Sequence, residues 1–291
     1  MSDPATDAFV AHRNLLFTVA YEILGSAADA EDVVQETWLR WVKVDLDQVR
    51  DQRAYLIRIT TRQSLNRIRT MKRRREAYVG SWLPEPLHTA ASDDVELSES
   101  LSMAMMLVLE TLSPTERAVF VLREVFEVSY DEIAEAVDKS PTTVRQIAHR
   151  ARRHVDARRP RAKVSPVERR AALEAFQHAV ETNDLQALMA VLAPNVVVVS
   201  DGGGIKIAAP RPVVGAEKAI RFFVGSMRKV GGTLTTELTV INGNPALLFR
   251  VDGELDGVAA LGIENGRVTD IWYVRNPEKL TRVESPTPLS R

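Results

Sequence analysis

The stretch SYDEIAEAVDKSPTTVRQIAHRARRHV, residues 129–155, decides the fold of the first half of this chain. Ser129 and Glu132 have the spacing of a capping box, which predicts that a short helix begins here and covers YDEIAEAV. Ser140 followed by Pro141 predicts the start of a second helix, because proline is favoured at the first helical position. Only DKS separates the two helices, and so short a turn indicates a helix-turn-helix.

The second of these helices is predicted to have two distinct faces. Its apolar residues recur at helical spacing and predict a buried stripe of Val144, Ile147, Ala148, Ala151 and Val155. The opposite face carries hydroxyls, arginine and glutamine near the helix start, the groups that contact base edges in the major groove. The candidate DNA-binding residues are Thr142, Thr143, Arg145, Gln146, His149, Arg150 and Arg153. An ordinary helical hairpin with a basic surface is the alternative.

Charged residues are segregated along the 291-residue chain, although its net charge is only −1. Residues 50–75 hold ten bases and one acid, and residues 145–163 hold eight bases and one acid. Two separate basic runs in a nearly neutral protein predict contact with a polyanion at two places.

The first basic run is predicted to be one long helix over residues 52–76. At about 100° per residue its arginines fall on one face, while Ile57, Ile68 and Met71 point away. The basic face carries Arg58, Arg62, Asn66, Arg69 and Arg73, with Thr60, Thr61 and Thr70 expected to add hydrogen-bonding groups between the charges. A row of guanidinium groups suits a phosphate backbone, and a solvated charged face is the alternative.

The composition excludes several classes of protein. There is no cysteine, which excludes a disulfide framework and thiolate metal sites. The first residues, MSDPATDAF, have neither the basic start nor the apolar segment of a signal peptide. The longest apolar runs, such as MAMMLVL at 103–109, are far too short to cross a bilayer. We therefore expect a cytoplasmic protein with no membrane segment, no metal and no cofactor.

The pattern changes after a basic, proline-containing linker at about 158–166. Two helices are predicted over 167–192, and β-type runs follow, among them NVVVVS (195–200) and IKIAA (205–209). A further helix is predicted within this region, and Asn265-Gly266 predicts a tight hairpin turn. The second half is therefore expected to be a separate α+β domain with a curved, mostly antiparallel sheet.

The order of these parts resembles that of an extracytoplasmic-function (group 4) RNA polymerase sigma factor. DAEDVVQETWLRWV (29–42) and RAYLIRITTRQSLNRIRTMKRRR (53–75) resemble segments of its domain 2, and residues 112–153 resemble its domain 4. The remainder, about 167–283, resembles a SnoaL-like domain of the NTF2 and ketosteroid-isomerase fold.

Three short strings strengthen this resemblance. WLPEPL (82–87), DGGG (201–204) and NPEKL (276–280) resemble the signature motifs of a sigma subgroup with a fused SnoaL-like domain. The resemblance implies a multidomain protein, with an all-α first half and a cone-shaped α+β domain after it. The implied parts are sigma domain 2 at 1–77, a linker at 78–95, sigma domain 4 at 96–160, the SnoaL-like domain at 161–283 and a tail at 284–291.

The resemblance also implies a function and its partners. Such a protein is an alternative sigma factor that binds core RNA polymerase, directs it to promoters and is regulated by its fused domain. The basic helix would read the −10 element, and the helix-turn-helix would read the −35 element. The clamp helices of the polymerase β′ subunit would meet Asp32, Gln35, Glu36 and Leu39 on an acidic helix, for which a solvated face is the alternative. Whether a separate anti-sigma factor exists stays open.

The WLPEPL segment is predicted to be a docking strip. Its prolines lower the entropy lost on ordering, and its apolar side chains supply area to bury. We expect it to contact the C-terminal domain at DGGG and NPEKL, unless it packs only on its own sigma domain. The expected interdomain residues are Trp82, Leu83, Pro84, Leu87, Asp201, Gly202, Gly203, Gly204, Lys206, Asn276, Pro277, Lys279 and Leu280.

Two other functions stay open at the level of sequence. A standalone helix-turn-helix repressor would carry the same reading helix. A polyketide-cyclase or isomerase type of enzyme needs a base in an apolar pocket, for which His178 and Asp201 are the candidates. A lone helical histidine is more often a packing or surface residue, and an aspartate at a glycine turn usually bonds backbone amides. VDGELDG (251–257), which includes Asp256, is interpreted as a charged loop. We therefore expect a regulatory domain rather than an enzyme, and leave open a small-molecule ligand in its cavity.

Overall fold

The structure is a computed structural model that describes residues 3–89, 94–159 and 164–291. The first half of the chain is helical. Its elements are α1 (Pro4–Leu24), α2 (Ala27–Trp41), a 3₁₀ turn (Leu46–Gln48), α3 (Gln52–Glu76), α4 (Val95–Leu101), α5 (Met103–Glu110), α6 (Pro114–Phe120) with a π-helical turn (Val121–Val125), α7 (Tyr130–Val137) and α8 (Pro141–Asp156). None of the described helices is long and apolar enough to span a membrane.

The centre of this half is α1, which is buried on most of its surface. Leu16, Val19 and Ile23 have no exposed surface. The helix ends at Gly25, whose φ of 69° permits its N–H to donate to the Tyr21 carbonyl. Apolar side chains of α1–α3 and of α4–α8 form one continuous core. The two helical units therefore pack directly on each other.

Two helical stretches of the first half are irregular. Between α4 and α5 the helix is interrupted at Ser102, which takes an extended ψ of 146° and caps α5 through Met105 N. Serine competes for backbone hydrogen bonds in this way, which explains the break. The stretch that begins with α6 finishes in the π-helical turn, where Phe126 N donates to the Val121 carbonyl at 3.3 Å.

The second half is an α+β domain with one sheet of six strands. Its elements are α9 (Pro166–Glu181), α10 (Leu185–Val191), β1 (Leu192–Asp201), β2 (Val213–Val214), α11 (Ala216–Val230), β3 (Leu234–Ile241), β4 (Asn244–Val251), β5 (Glu254–Glu264), β6 (Arg267–Val274) and a 3₁₀ turn (Pro277–Lys279). The strand order is β2-β1-β6-β5-β4-β3. All neighbours are antiparallel except β1 and β6. Register shifts in β4–β5 and β5–β6 are irregularities of the kind that bend a sheet.

Alternate residues of the sheet contact different partners. On β4, Leu247 and Phe249 face the helices α9 and α11, whereas Ala246 and Leu248 belong to a second apolar cluster. That second cluster also contains Leu83 of the linker and Met103 of α5. The sheet therefore has its own core on one face, and joins the helical half through the other.

One predicted strand is absent and one predicted turn is confirmed. IKIAA (205–209) does not form a strand: it begins in a turn, where Ile205 N and Lys206 N both donate to the Gly202 carbonyl, and residues 207–209 have no regular structure. The β5–β6 hairpin turns at Asn265 and Gly266, with φ values of 51° and 70°, as their sequence predicts.

Candidate nucleic-acid interface and interdomain site

The candidate base-reading face lies on α8, whose N-terminus is fixed by Ser140. The Ser140 hydroxyl accepts from Thr143 N at 3.2 Å, and Asp138 ends α7 in a left-handed conformation. The predicted inward stripe is buried: Val144, Ile147, Ala148, Ala151 and Val155. Exposed on the opposite face are Thr142, Arg145, Gln146, His149, Arg150 and Arg153. Thr143 is half-buried, and its hydroxyl lies 2.8 Å from Ser140 Oγ, so the cap occupies it.

The basic face of α3 lies partly against the helix-turn-helix. Arg62, Asn66 and Arg69 are exposed, and Arg58 is half-buried. Arg58 Nη1 donates to Glu135 Oε2 at 2.6 Å, and Arg62 Nη2 donates to the Glu135 carbonyl at 2.7 Å. Two candidate −10 residues are therefore bound to α7 in this conformation. The side chain of Arg73 lies outside the part of the chain that the structure describes.

Two threonines of α3 lie elsewhere than expected. Thr60 and Thr61 are fully buried, and Thr60 Oγ1 lies 3.3 Å from Thr37 Oγ1 of α2. They share the inward face with Ile57 and Ser64 at helical spacing, so they cannot lie between the exposed arginines.

The candidate polymerase-binding face of α2 is exposed. It consists of Asp32, Gln35, Glu36 and Leu39, and Leu39 is 59% exposed. Asp32 forms an ion pair with Arg67 of α3. Acidic groups around an exposed leucine give a surface that suits a partner with both basic and apolar character.

A buried polar cluster joins the two helical units. Arg117 of α6 donates to the Glu22 carbonyl of α1 at 2.8 Å and pairs with Glu110 of α5, which also pairs with Arg75 of α3. The Glu22 carboxyl is fully buried and accepts from Ser100 Oγ at 2.8 Å. Burial raises the pKa of Glu22 to about 8. Its second carboxyl oxygen has no hydrogen-bond partner among the described residues.

On one side, the linker strip is held on α1 and α2 by Glu85. The Glu85 carboxylate accepts from Ser26 Oγ at 2.8 Å and from Ala27 N and Ala28 N at 2.6 and 3.1 Å. It thus satisfies free amides at the N-terminus of α2. Tyr21 Oη donates to the Glu85 carbonyl at 2.5 Å. Burial raises the pKa of Glu85, and the hydrogen bonds from Ser26 and the two amides oppose that rise.

On its other side, the strip is bound by Asp201 of the C-terminal domain. The buried Asp201 carboxylate accepts from Tyr78 Oη at 2.5 Å, Leu83 N at 2.9 Å and Lys279 Nζ at 2.7 Å. Lys279 Nζ also donates to the Leu83 carbonyl at 2.6 Å and lies 4.2 Å from the Trp82 ring centroid. Burial lowers the pKa of Lys279, and the Asp201 carboxylate opposes that effect. The three sequence motifs meet at this ion pair.

The glycines of DGGG allow the motifs to approach closely. Gly203 has a φ of 61°, and a Cβ there would collide with the Asn276 side chain. A Cβ at Gly204 would lie 3.2 Å from Val79 of the linker. Asn276 Nδ2 donates to Tyr78 Oη at 2.8 Å, so the amide side chain fills the space that the missing Cβ leaves.

The remaining motif residues divide into two groups. Pro84 is buried, and Leu83 and Leu280 share the second apolar cluster. Pro277 begins the 3₁₀ turn that presents Lys279. Lys206, in contrast, contacts its own domain: its Nζ donates to Asp256 Oδ1 at 3.2 Å. Gly202 accepts from Lys206 N and shapes the same turn.

A hairpin turn that the sequence analysis did not single out anchors the end of the strip. Asn242, in the β3–β4 turn, has a φ of 52° and is 1% exposed. Its Oδ1 accepts from Leu87 N at 2.8 Å, and its Nδ2 donates to Tyr21 Oη at 2.9 Å and to the Leu101 carbonyl at 3.0 Å. Asn242-Gly243 is a turn signal in the sequence, but only the fold places this turn against the linker, α1 and α4.

The C-terminal tail returns to the helical half. Thr287 N donates to the His88 carbonyl at 2.7 Å, and Ser290 N donates to Thr18 Oγ1 at 3.2 Å. The terminal Arg291 pairs with Asp94 at 2.8 Å and with Glu96 at 2.5 Å. The tail therefore contacts the linker, α1 and α4 in succession.

The two candidate catalytic bases lie away from the apolar cavity of the C-terminal domain. This cavity has a volume of about 320 Å³ and lies between the sheet and the helices α9–α11. His178 is exposed on α9 and does not line the cavity, and Asp201 is committed to the linker.

Asp256 does line the cavity, which corrects the interpretation of VDGELDG as a charged loop. This carboxylate is 5% exposed and accepts two hydrogen bonds from Arg275 at 2.9 Å. No group of acidic or histidine residues in the described ranges has the arrangement of a metal site.

Comparison with known proteins places this architecture in a family. Residues 8–75 match the family described as Sigma-70 region 2, and residues 102–155 match Sigma-70, region 4. These segments contain α3 and the helix-turn-helix respectively, so both basic surfaces belong to sigma regions. The class of protein is a transcription initiation factor of the sigma type.

Similar proteins cover nearly the whole chain. The ECF RNA polymerase sigma factor SigJ of Mycobacterium tuberculosis is 36% identical over 288 residues, which cover 94% of this chain and 92% of that protein. The probable ECF RNA polymerase sigma factor SigI of the same organism is 34% identical, over 96% of this chain and 95% of that protein. The crystal structure of SigJ has a TM-score of 0.75 and 32% identity, covering 98% of this chain and 100% of that chain.

This chain therefore belongs to the extracytoplasmic-function RNA polymerase sigma factors. The expected multidomain fold, helical sigma units followed by a C-terminal α+β domain, is confirmed. The expected main function, an alternative sigma factor for transcription initiation, is also confirmed over a standalone repressor. The roles of individual residues stay predictions.

Proposed function

We propose that this sigma factor binds core RNA polymerase through the exposed face of α2, the −35 element through α8 and the −10 element through α3. The observation that carries the proposal is the α8 face, which exposes Arg145, Gln146 and His149 on a helix fixed by Ser140. Arginine and glutamine form paired hydrogen bonds with guanine and adenine edges. Exposed Arg150 and Arg153 on the same helix suit the flanking phosphates.

The contact between α3 and α7 has to open before the whole basic face of α3 is free. Glu135 binds Arg58 and Arg62, which a phosphate backbone would otherwise contact. In the Arg58–Glu135 pair, Glu135 is exposed and Arg58 is half-buried, and ion pairs that water can reach contribute about 1 kcal/mol or less. Polymerase or DNA can therefore displace this contact at small cost.

The C-terminal domain acts by holding the linker and not by catalysis. Asp201 and Lys279 bind the strip that connects the two sigma units, which supports a role in setting their relative positions. Asp256 is the carboxylate that lines the cavity. Its oxygens accept hydrogen bonds from Arg275 and Tyr273, so it is not a free general base. Separation of the two sigma units would then depend on release of the strip.

In vitro transcription tests this proposal most simply. Core RNA polymerase with the full-length protein should start transcripts at a defined set of promoters, identified by sequencing their 5′ ends. Arg145→Ala should cost about 1–3 kcal/mol of binding and relax selectivity at one or two −35 positions. Arg221→Ala, which removes an exposed arginine from α11, is the matched control and should leave promoter choice unchanged.

A different outcome would overturn the proposal. If Arg145→Ala and Arg221→Ala changed transcription equally on every promoter variant, α8 would not be the reading surface. Tight binding to a duplex operator without any promoter-dependent transcript would instead fit a repressor.

A further inference from the structure

The cavity of the C-terminal domain has the size and lining of a small-molecule site. Its volume of about 320 Å³ lies at the lower end of the roughly 300–1,000 Å³ found for ligand pockets. Its walls are largely apolar and include Phe176, Leu188, Phe223, Phe249 and Ile271. A molecule of one or two rings would fill it.

Three of the polar residues that line the cavity form one hydrogen-bonded cluster, whereas Asn183, Ser226 and Arg228 lie outside it. Tyr273, Asp256 and Arg275 all line the cavity. Tyr273 Oη donates to Asp256 Oδ2 at 2.9 Å, and Arg275 donates to both oxygens of the same carboxylate. The carboxylate and the guanidinium that line this end of the cavity neutralise each other, and Lys206, which also pairs with Asp256, is exposed and does not line the cavity. Arg228 also lines the cavity, but its side chain is exposed and solvated.

The chemistry of Tyr273 selects the kind of group that a ligand would present. Its hydroxyl hydrogen is committed to Asp256, whereas its oxygen can still accept one hydrogen bond. Burial and the neighbouring Asp256 raise the pKa of Tyr273, so the phenol keeps its proton. A ligand hydroxyl can donate to this oxygen, whereas a carbonyl would have to displace Asp256.

We propose that this cavity binds a neutral, largely apolar molecule of one or two rings whose hydroxyl donates to Tyr273 Oη. The same site is connected to the linker over a short distance. Tyr273 lies near the end of β6, and just beyond this strand the backbone amides of Arg275 and Asn276 donate to the Asp201 carbonyl at 2.7 and 3.0 Å. The Asp201 carboxylate accepts from Leu83 N of the strip. A ligand held at Tyr273 therefore acts on the residues that bind the linker.

Direct binding to the full-length protein tests the site, without polymerase or promoter. The probes are 2-naphthol, naphthalene and 2-naphthoate, measured by equilibrium dialysis. One hydrogen bond predicts that 2-naphthol binds about threefold to tenfold more tightly than naphthalene, and that the charged 2-naphthoate binds more weakly than 2-naphthol. Tyr273→Phe should abolish the preference for 2-naphthol and leave naphthalene affinity unchanged. Equal affinities in the wild type, or no saturable binding of any probe, would overturn the site.

Two blocking variants locate the binding. Ala259→Phe places a large side chain in the cavity and should abolish binding of 2-naphthol. If that variant misfolds, Val224→Trp serves the same purpose. Arg221→Ala should not change this binding. Binding that persisted in a folded blocking variant would contradict the assignment.

Hydrogen exchange tests the connection to the linker. Saturating 2-naphthol should change the exchange rate of the Leu83 amide at least about threefold in the wild type and leave it unchanged in the blocking variant. An unchanged rate in the liganded wild type would overturn the connection. Because neither experiment uses transcription, failure here is distinct from failure of the sigma function.

Discussion

At the scale of single residues, two carboxylates hold the linker from opposite sides. Glu85 points from the strip to the N-terminus of α2, and Asp201 points from the C-terminal domain to the strip. Asp201 is fully buried with Lys279 beside it. A buried pair gives little net stability against an apolar replacement, but the loss of one partner leaves a buried unpaired charge.

Asp201→Asn should therefore lower the free energy of unfolding by about 3–5 kcal/mol, because Lys279 would remain buried without its anion. Urea denaturation monitored by tryptophan fluorescence measures this. Glu284→Gln is the control: it breaks an exposed pair with Arg250 and should cost less than about 1 kcal/mol. Equal effects of the two changes would show that the Asp201 contact does not form in solution.

Glu22 should make stability depend on pH. Its pKa is raised to about 8 by burial, from an ordinary value near 4.5. Its contribution to stability is therefore fully present below about pH 4.5 and is lost progressively as the pH rises to 8, because the unfolded chain releases this proton while the buried carboxyl retains it. Glu22→Gln should flatten the stability profile between these values and exceed the wild type at pH 8.5. Glu96→Gln, at an exposed position, should leave the profile as it is; a wild-type profile that was flat over this range would exclude the buried carboxyl.

At the scale of elements, α3 and α7 bring the two DNA-binding surfaces into contact. Glu135→Ala should free Arg58 but not Arg62, which binds the main-chain carbonyl, and should increase affinity for a single-stranded −10 oligonucleotide by no more than about fivefold, as expected for a solvent-accessible pair. Fluorescence anisotropy with an oligonucleotide from the mapped promoter measures this. Asp131→Ala removes an exposed acid from the same helix and serves as the control for net charge. A larger effect of Asp131→Ala would mean that charge alone, and not release of α3, accounts for the gain.

Some features of these elements could be predicted from the sequence, and others could not. Caps such as Ser129 and Ser140, and the apolar stripe of α8, are local signals, and the structure agrees with them. The break at Ser102 and the turn at the start of IKIAA could not be predicted from periodicity. In the first a side chain, and in the second a neighbouring carbonyl, satisfies the backbone N–H groups. The burial of Asp256 depends on Arg275, nineteen residues away and just beyond the end of the next strand, so a charged string could not reveal it.

At the scale of the whole molecule, the strip is the element on which all units converge. Leu83 packs with the sheet, Leu87 packs with the helical core, and Trp82 lies beneath Arg75 and Lys279. The motifs WLPEPL, DGGG and NPEKL are far apart in sequence, yet the Asp201–Lys279 pair brings them together. Contact between these motifs was predicted from the prolines and apolar side chains of the strip, whereas the anchoring roles of Glu85 and Asn242 depend on contacts between distant segments.

If strip and tail act through one contact, their removal should not be additive. Trp82→Ala and deletion of residues 276–291 should each change transcription, and the combination should differ little from the stronger single change. Run-off transcription at equal protein concentration measures the three variants. Strictly additive effects would show that the strip and the tail act independently.

The most direct test of the central claim is run-off transcription by purified core RNA polymerase with and without this protein, on the promoter identified from its transcripts. The account predicts a discrete transcript only when the protein is present. Arg145→Ala should abolish this transcript at a −35 element matched to the wild type, and Arg221→Ala should retain it. A transcript of equal yield without the protein, or none on any mapped promoter, would contradict it.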